Sequence, residues 1–549
     1  MSDIVAPQRL DTAEPATRTH PRFFEAAALL LIAPLCVVGA IIGVQLIVTL
    51  GITANTSLIG ALAAMGLARV PFRAFARYRS IHVQNLAQSA ISAATFGAGN
   101  SLMLPIGIPF VLGRADLILP MLAGVFLAML IDAMMLYRMF DSEVFPASGA
   151  WPPGAAAAEA IRAGDEGGRK AAILGVGVAV GVLGNWLAAV PMSAFGVAFI
   201  GNIWALTMFG VGLLVRGYSG LLFNHPAFAG IFPGGDINKA YVPHGMMVGA
   251  GVVALIQVGI IIMRRHAVVP EGTAGPSGAA VRRTLGLGVL AYLVVAVIIA
   301  ASGGLAAGLT TPMLIGFILY AAFAALVHEL IVGLSAMHSG WFPAFAVALI
   351  TLVIGMLIGF PPVALALLVG FSAATGPAFA DMGYDLKAGF MLRGNGADPA
   401  FEHDGRRQQL FAAMFALVVA GIVVYLSYEG YFARNLVAPV ARVYVATIKA
   451  GASASVAWSL LIWAIPGAVL QFVGGPRRQI GVLFATGLLI LSPVAGWAVI
   501  AGILCRIVWE RLPGKGGAES MQIFGAGVIA GDALFGFFSS VWKNFAARA

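Results

Sequence analysis

The sequence predicts an all-α, polytopic transmembrane helix bundle, and three observations carry that expectation. Of the 549 residues, 60% are hydrophobic and only 10% charged, whereas an ordinary soluble domain is about 25% charged. Mean hydropathy is +0.95. Apolar stretches of about 18 to 25 residues recur along the whole length, each long enough to cross a hydrocarbon core of roughly 30 Å as a helix, and we count about sixteen of them.

In order, the apolar runs fall at about 25–49, 51–68, 84–112, 117–140, 171–191, 193–215, 218–236 and 241–263, then 285–302, 311–337, 343–360, 361–380, 408–428, 433–451, 455–473, 479–505 and 520–541. Pro493 leaves the 479–505 run open as one long helix or two short ones. The longest connections, 141–170, 264–284, 381–407 and 506–519, are too short for a folded soluble domain. Function is therefore expected within the bilayer or at its surface. Residues 1–22 are polar, with Arg9, Arg18 and Arg22, and show no apolar core with a cleavage site of the signal-peptide kind. Cys36 and Cys505 both lie in apolar runs, which points to packing and to neither a disulfide framework nor a thiolate metal cluster.

The formal charge of +9 does not imply a nucleic-acid partner, because the basic residues do not gather on a soluble module. They punctuate the apolar runs instead: Arg69, Arg73, Arg77 and Arg79; Arg162, Arg169 and Lys170; Arg264, Arg265, Arg282 and Arg283; Lys387, Arg393, Arg406 and Arg407. The positive-inside tendency places these loops in the cytoplasm, together with both termini, Lys543 and Arg548 included. The expected organisation is a cytoplasmic tail (1–23), a first transmembrane half (24–263), a cytoplasmic linker (264–284), a second half (285–541) and a cytoplasmic tail (542–549), in a plasma or inner membrane. Membrane lipid is then the surrounding partner, and a homo-oligomer remains open.

Two short matches suggest that the halves are repeats of about eight helices. Ser92-Ala-Ala-Thr95 recurs as Ser372-Ala-Ala-Thr375, and Gly249-Ala-Gly-Val-Val-Ala254 recurs as Gly525-Ala-Gly-Val-Ile-Ala530. Counting segments puts the second pair in helices of the same direction and the first in helices of opposite direction, so parallel and inverted repeats both stay open. Small residues spaced by four, as in Gly177-Val-Ala-Val-Gly181, let helices approach closely. The Pro-rich stretches Leu104-Pro-Ile-Gly-Ile-Pro109 and Gly359-Phe-Pro-Pro362 are different. A broken helix frees backbone groups that are tolerated beside protein or water, and transporters place ligand sites at such breaks.

An ionisable group inside a membrane helix costs roughly 2.5–3.5 kcal/mol on insertion scales, so each is a functional candidate. The inventory is Asp132, His328, Glu329, His338, Asp381, Glu429, Glu510 and Asp532. The adjacent His328-Glu329 pair sits deepest and reads either as a proton relay or as a structural pair. Asp132 and Asp532 lie in Ala/Gly/Leu-rich runs without a local partner, while Glu429 and Glu510 are near run ends and can snorkel. No phosphate-binding loop, metalloprotease motif or Cys/His cluster at metal-ligand spacing occurs in the chain. A catalytic site, a metal site and a cofactor are accordingly not expected, and a multi-pass membrane enzyme is the weaker alternative. The reading is a secondary transporter driven by protons, for which carboxylates and histidines are the available titrating groups.

Four patterns resemble the oligopeptide transporter family, which includes the yellow stripe-like metal-chelate carriers, in a bacterial-type form. They are Asn85-x-x-Gln88-Ser89 with Phe96-Gly-Ala-Gly-Asn100; Glu143-Val-Phe-Pro-Ala-Ser-Gly149 with Ala158-Glu-Ala-Ile161; Asp385-Leu-Lys-Ala-Gly-Phe390 with Arg407-Gln-Gln409; and Ile529-Ala-Gly-Asp-Ala-Leu-Phe-Gly536. Where the third pattern of the family has Thr and Tyr, this chain has Ala388 and Phe390, and Asp532 stands where the fourth has Glu. The resemblance implies about sixteen membrane helices and symport of small peptides or metal-organic chelates with protons; a carrier of another small anionic or amphipathic metabolite is the alternative. Gln84, Asn85 and Gln88 fall within one helical turn and offer amides to a peptide backbone. With Asn100, Asp385 and Lys387 they form the expected substrate site, Lys387 pairing a carboxylate, although Asp385 reads equally as a helix N-cap. Glu329, His328, Asp532 and Asp132 are the expected proton-coupling residues.

Overall fold

In the computed structural model, the described residues are 19–51, 78–264 (except 167, 189, 229, 233 and 234), 276–339, 344–451, 454–511 and, within 517–535, residues 517, 520–525, 527–529, 531, 532 and 535. Arg9, Arg18, Arg69, Arg73, Arg77, Arg265, Lys543, Arg548 and the side chains of Lys170, Arg264 and His338 lie outside them. The described chain is helical throughout, without a named strand. The helices are α1 (Ala26–Leu50), α2 (Ile81–Phe96), α3 (Leu104–Leu112), α4 (Ile118–Met139), α5 (Pro152–Glu166), α6 (Gly168–Ala188), α7 (Met192–Ile200), α8 (Ile203–Phe223) and α9 (Val242–Arg264). They continue with α10 (Gly278–Ser302), α11 (Leu305–Gly308), α12 (Thr311–Ser339), α13 (Ala344–Ile358), α14 (Pro362–Ala374), α15 (Pro377–Leu392), α16 (Pro399–Ala433), α17 (Pro439–Ala450), α18 (Ala454–Arg478), α19 (Ile480–Leu489) and α20 (Pro493–Arg511). Ten spans among the described residues are long and apolar enough to cross a membrane, and five shorter apolar helices accompany them.

Local chemistry sets several boundaries. Asn202 caps α8 by accepting from the amides of Trp204 and Ala205, and Asp398 caps α16 through the amides of Ala400 and Phe401, each satisfying donors that the first turn leaves free. The 193–215 run divides at Gly201 into α7 and α8, and Pro493 divides 479–505 into α19 and α20. The 218–236 run is not a separate helix, because α8 ends at Phe223 and a short 3-10 turn follows. The largest departure is 381–407, expected as a loop. It is helical through Leu392 and again from Pro399, and its polar residues Asp381, Asp385 and Lys387 are buried in protein. Hydropathy marks lipid-facing surface, whereas these side chains face other helices.

Two of the spans depart from regular α-helix midway, the first through a continuous π-helical turn and the second through a true break, and they form the most buried part of the bundle. The first is α2, a π-helical turn (Gly97–Met103) and α3; the second is α14, a break at Thr375 and Gly376, and α15, with Gly376 at φ +98°. The two copies of the Ser-Ala-Ala-Thr motif end at these departures. The spans pass one another antiparallel, since Gln88 bonds Asp385, Ser92 bonds Asp381 and Gly370 faces Ile108.

The same inversion relates the outer helices. Gly245 packs on Leu460 and Gly249 on Ala464, so α9 and α18 run parallel, while Gly177 packs on Gly527 and Gly181 on Val528, so α6 runs parallel to the C-terminal segment. Each contact has its counterpart in the other half, with the partners exchanged. The repeats are therefore inverted, which corrects the same-direction assignment of the Gly249 and Gly525 pair. Backbone contact at these glycines leaves no room for a side chain: a Cβ on Gly249 would lie 1.8 Å from the carbonyl oxygen of Ala464. We expect Gly249→Ala to cost about 1–3 kcal/mol through overpacking, read as a lowered thermal unfolding midpoint in detergent. An unchanged midpoint would show that α9 and α18 are not in backbone contact.

Candidate functional site

Asp132 on α4 sits where three elements meet. Its Oδ1 accepts from the hydroxyl of Tyr292 on α10 at 2.5 Å, and its Oδ2 accepts from the backbone amide of Gly376, at the α14/α15 break, at 2.6 Å. The same hydroxyl is hydrogen-bonded to Oε2 of Glu329 on α12, while Oε1 of Glu329 has no hydrogen-bond partner. All three residues are fully buried, and no basic side chain among the described residues pairs with either carboxyl.

This arrangement fixes a proton count. A phenol carries a single hydrogen, so Tyr292 can donate to only one of its two partners. The second contact is a hydrogen bond only when the other carboxyl is protonated and donates to the phenolic oxygen. Burial of two unpaired carboxylates side by side would also be costly. The arrangement thus calls for a proton on one of the two carboxyls.

His328, next to Glu329 in sequence, points elsewhere. Its Nε2 meets the carbonyl of Ala344 at 2.8 Å and its Nδ1 lies 3.4 Å from Oγ1 of Thr375. A carbonyl only accepts, so Nε2 carries a hydrogen. His328 braces the helix break and contacts neither carboxyl.

Of the expected substrate residues, Asn85, Gln88 and Asp385 come together at α15 and bond to one another, beside a second pair, Ser92 and Asp381. Asn85 donates to Gln88 (2.9 Å), Gln88 to Oδ1 of Asp385 (2.6 Å), and Ser92 to Oδ1 of Asp381 (2.6 Å). The second oxygen of Asp385 is buried without a hydrogen-bond partner. Both carboxyls border a small gap lined also by Ala93, Ala133, Ala378 and Leu417. Asp385 lies in the body of α15, which excludes the N-cap reading. Lys387 donates to the carbonyl of Ala147 at 2.9 Å, so it ties α15 to the 141–151 connection. Gln84 donates to the carbonyl of Tyr78, and Asn100 lies in the π turn.

From Asp385 a polar chain runs to the basic end of the bundle. Gln409 donates to the carbonyl of Asp385 and to Ser89, and accepts from Arg393, which forms a bidentate pair with Glu402 at 2.7 and 3.0 Å. The ring of His20 lies 5.1 Å from that of His82 and 5.4 Å from Phe401, and burial pushes the His20 imidazole down to about 4. On this side the 140–151 connection packs Phe145 on Phe379 and Trp151 on Tyr384, which covers α15.

Asp532 is placed apart from these groups. Its carboxylate accepts from Asn185 (2.5 Å) and from both the amide and the hydroxyl of Ser193 (2.7 and 2.5 Å), and so caps the start of α7. In the inverted half the residue bonded across the matching helix pair is Gln257 on α9, which is bonded by Gln471 of the facing α18 at 2.9 Å, and it is Gln471 that accepts from the amide of Val482 in the first turn of α19. Tyr292 and Asp381 are the additions that sequence reasoning did not place in the site. A tyrosine in the middle of the 285–302 run was the available signal.

The Arg393 side chain is fully buried, so its partner is needed. We expect Glu402→Leu to cost about 3–5 kcal/mol by leaving that charge unpaired, and Arg393→Met in the same background to recover much of the loss, both read as thermal unfolding midpoints. A single variant as stable as the double would contradict the pairing.

Residues 27–270 and 278–543 match the family model described as OPT oligopeptide transporter protein. No curated protein matches the chain.

Proposed function

Because the chain belongs to the oligopeptide transporter family, we propose that it is a secondary active, proton-coupled transporter of small peptides or metal-organic chelates. The family and the apolar spans make it an integral membrane transport protein. The observation that carries the finer reading is the Asp132–Tyr292–Glu329 group, in which one phenolic hydrogen serves two buried carboxyls. Glu329 is the proposed proton carrier, with Asp132 as its partner. His328 acts on the same break as a brace, and Asp532 holds α7 in place.

Coupling follows from the bond that Asp132 makes to the amide of Gly376. Protonation of the group changes what Asp132 offers that amide, and the amide belongs to the break on which α14 and α15 turn. Asp381 and Asp385 on α15 hold the crossing through Ser92 and Gln88. A substrate with backbone amides would exchange for these same bonds as the two crossing spans part, with Gln84, Asn85, Gln88 and Asn100 on one side and Asp385 and Lys387 on the other. Alternating access of inverted halves about such a crossing requires no nucleotide. We further propose that the Arg393–Glu402 end faces the cytoplasm, following the charge bias, in a plasma or inner membrane.

The test separates coupling from carriage. In proteoliposomes carrying a pH gradient, Glu329→Gln and Tyr292→Phe should lose at least about tenfold of the accumulation, which corresponds to about 1.4 kcal/mol. Substrate exchange at equal pH should persist. Retention of gradient-driven accumulation by both variants would rule out this group as the coupling site.

A further inference from the structure

At the end of the bundle opposite the Arg393–Glu402 pair, a cavity of about 250 Å³ opens between the two halves. Its position follows from two helices that link the ends. α1 begins beside Gln408, which accepts from the amide of Phe23, and ends at Gly51 against Pro439; α16 begins at Asp398 and ends just before Asn435. The first half contributes Val48, Asn238 and His244, and the second contributes Asn435, Pro439 and Arg442.

The chemistry of the lining is one-sided. None of the lining residues is acidic. Arg442 uses one guanidinium nitrogen, Nη2, to bond the carbonyl and side-chain oxygens of Asn435 at 3.1 and 3.0 Å, which fixes the fork and leaves its Nε and Nη1 donors without a partner among the described residues. His244, in the first turn of the 23-residue α9, is only 7% exposed, and its Nδ1 has no hydrogen-bond partner. A buried imidazole nitrogen without a partner is costly, and the His244 ring forms part of the wall of this cavity. The first turns of both α9 and α17 line the same space, and helix N-termini favour anions. The nearby acid is already neutralised: Asp236 pairs with Arg216 at 2.8 Å. Against the cost of burial, the Asn238 amide and Arg216 hold that carboxyl below its usual range.

We infer that this cavity is a carboxylate-binding subsite in which Arg442, with His244 in the wall behind it, receives the anionic end of the transported molecule before it reaches the helix crossing. The inference rests on the transport reading above and adds to it a residue set and a ligand chemistry. The volume lies just below the roughly 300–1,000 Å³ of typical small-molecule pockets, so it takes one terminal residue or one chelator arm. A fork donating to a carboxylate gives paired, charge-assisted hydrogen bonds, and an amide cannot replace that partner. The carboxylate comes from a peptide C-terminus or from a polycarboxylate chelator.

Equilibrium binding to the purified full-length protein in detergent tests this, with trialanine, its C-terminal amide, and citrate against sodium chloride of equal ionic strength as probes. We expect trialanine to bind at least about tenfold more tightly than its amide, or citrate to bind where chloride does not, the first outcome identifying a peptide terminus and the second a chelator arm. The discrimination should disappear in Arg442→Gln and weaken in His244→Gln, with the unfolding midpoint of the exposed Arg442 variant unchanged. Acid and amide binding alike with no binding of citrate, no binding of any probe, or discrimination that survives Arg442→Gln would overturn the subsite. Uptake is scored separately. Carboxylate discrimination without accumulation under a pH gradient keeps the subsite and removes the transport reading; accumulation of acid and amide alike does the reverse.

Discussion

Tyr292 has one hydrogen to share between two buried carboxyls, and much of the architecture serves that shortage. Three helices, α4, α10 and α12, must be held side by side for Asp132, Tyr292 and Glu329 to meet. The glycines on these helices permit it: Gly124 packs directly on Ile299, and Gly288 on Met135. Water would relieve the group by supplying donors, but all three residues are sealed from it. What remains is a choice between a captured proton and a repelling pair of charges, and at low dielectric the second is far the more costly. The free oxygen of Glu329 leaves one acceptor open in this otherwise closed arrangement.

The consequence reaches the helix crossing through a single backbone amide. Gly376 adopts a left-handed conformation that favours glycine, and its N–H is the donor held by Asp132. Val332 stands within 2.9 Å of where a Cβ would lie, so the break is pinned from both sides. Beyond it, α15 carries Asp381 and Asp385 to the opposite span, and Gln409 continues the chain to Arg393 and Glu402. Buried polar networks strengthen when fully satisfied and become liabilities when they are not. Among the described residues, the hydroxyl of Tyr384 and the second oxygen of Asp385 are buried on α15 without a hydrogen-bond partner, and the latter lies at the crossing itself.

Much of this was legible in the sequence, for identifiable reasons. Long apolar runs and sparse charge dictate membrane-spanning helices, since only fully bonded backbone survives in lipid. The repeated Ser-Ala-Ala-Thr motif marks the π-helical turn and the helix break, and the patterns around Asn85, Asp385 and Gln409 meet in space. The boundaries that fail do so where helices face protein and not lipid: Asp381, Asp385 and Lys387 lower the local hydropathy of α15 without bringing it out of the bundle. Partner choice was not legible. Nothing in the sequence distinguishes Asp132, which shares a phenol with another acid, from Asp532, which receives three donors at the start of α7. Tyr292 escaped because an inventory of charged groups omits a phenol, although a phenol is what joins the two acids.

The proton count at Tyr292 can be measured directly. Infrared spectroscopy of the purified protein at neutral pH reports the C=O stretch of a protonated carboxyl, well separated from the bands of ionised carboxylates. We expect such a band in the wild-type protein, shifted on exchange into heavy water, and expect it to be lost or displaced in Glu329→Gln and displaced in Tyr292→Phe. A spectrum at neutral pH with no protonated-carboxyl band, or one that neither substitution changes, would contradict a shared proton between Asp132 and Glu329.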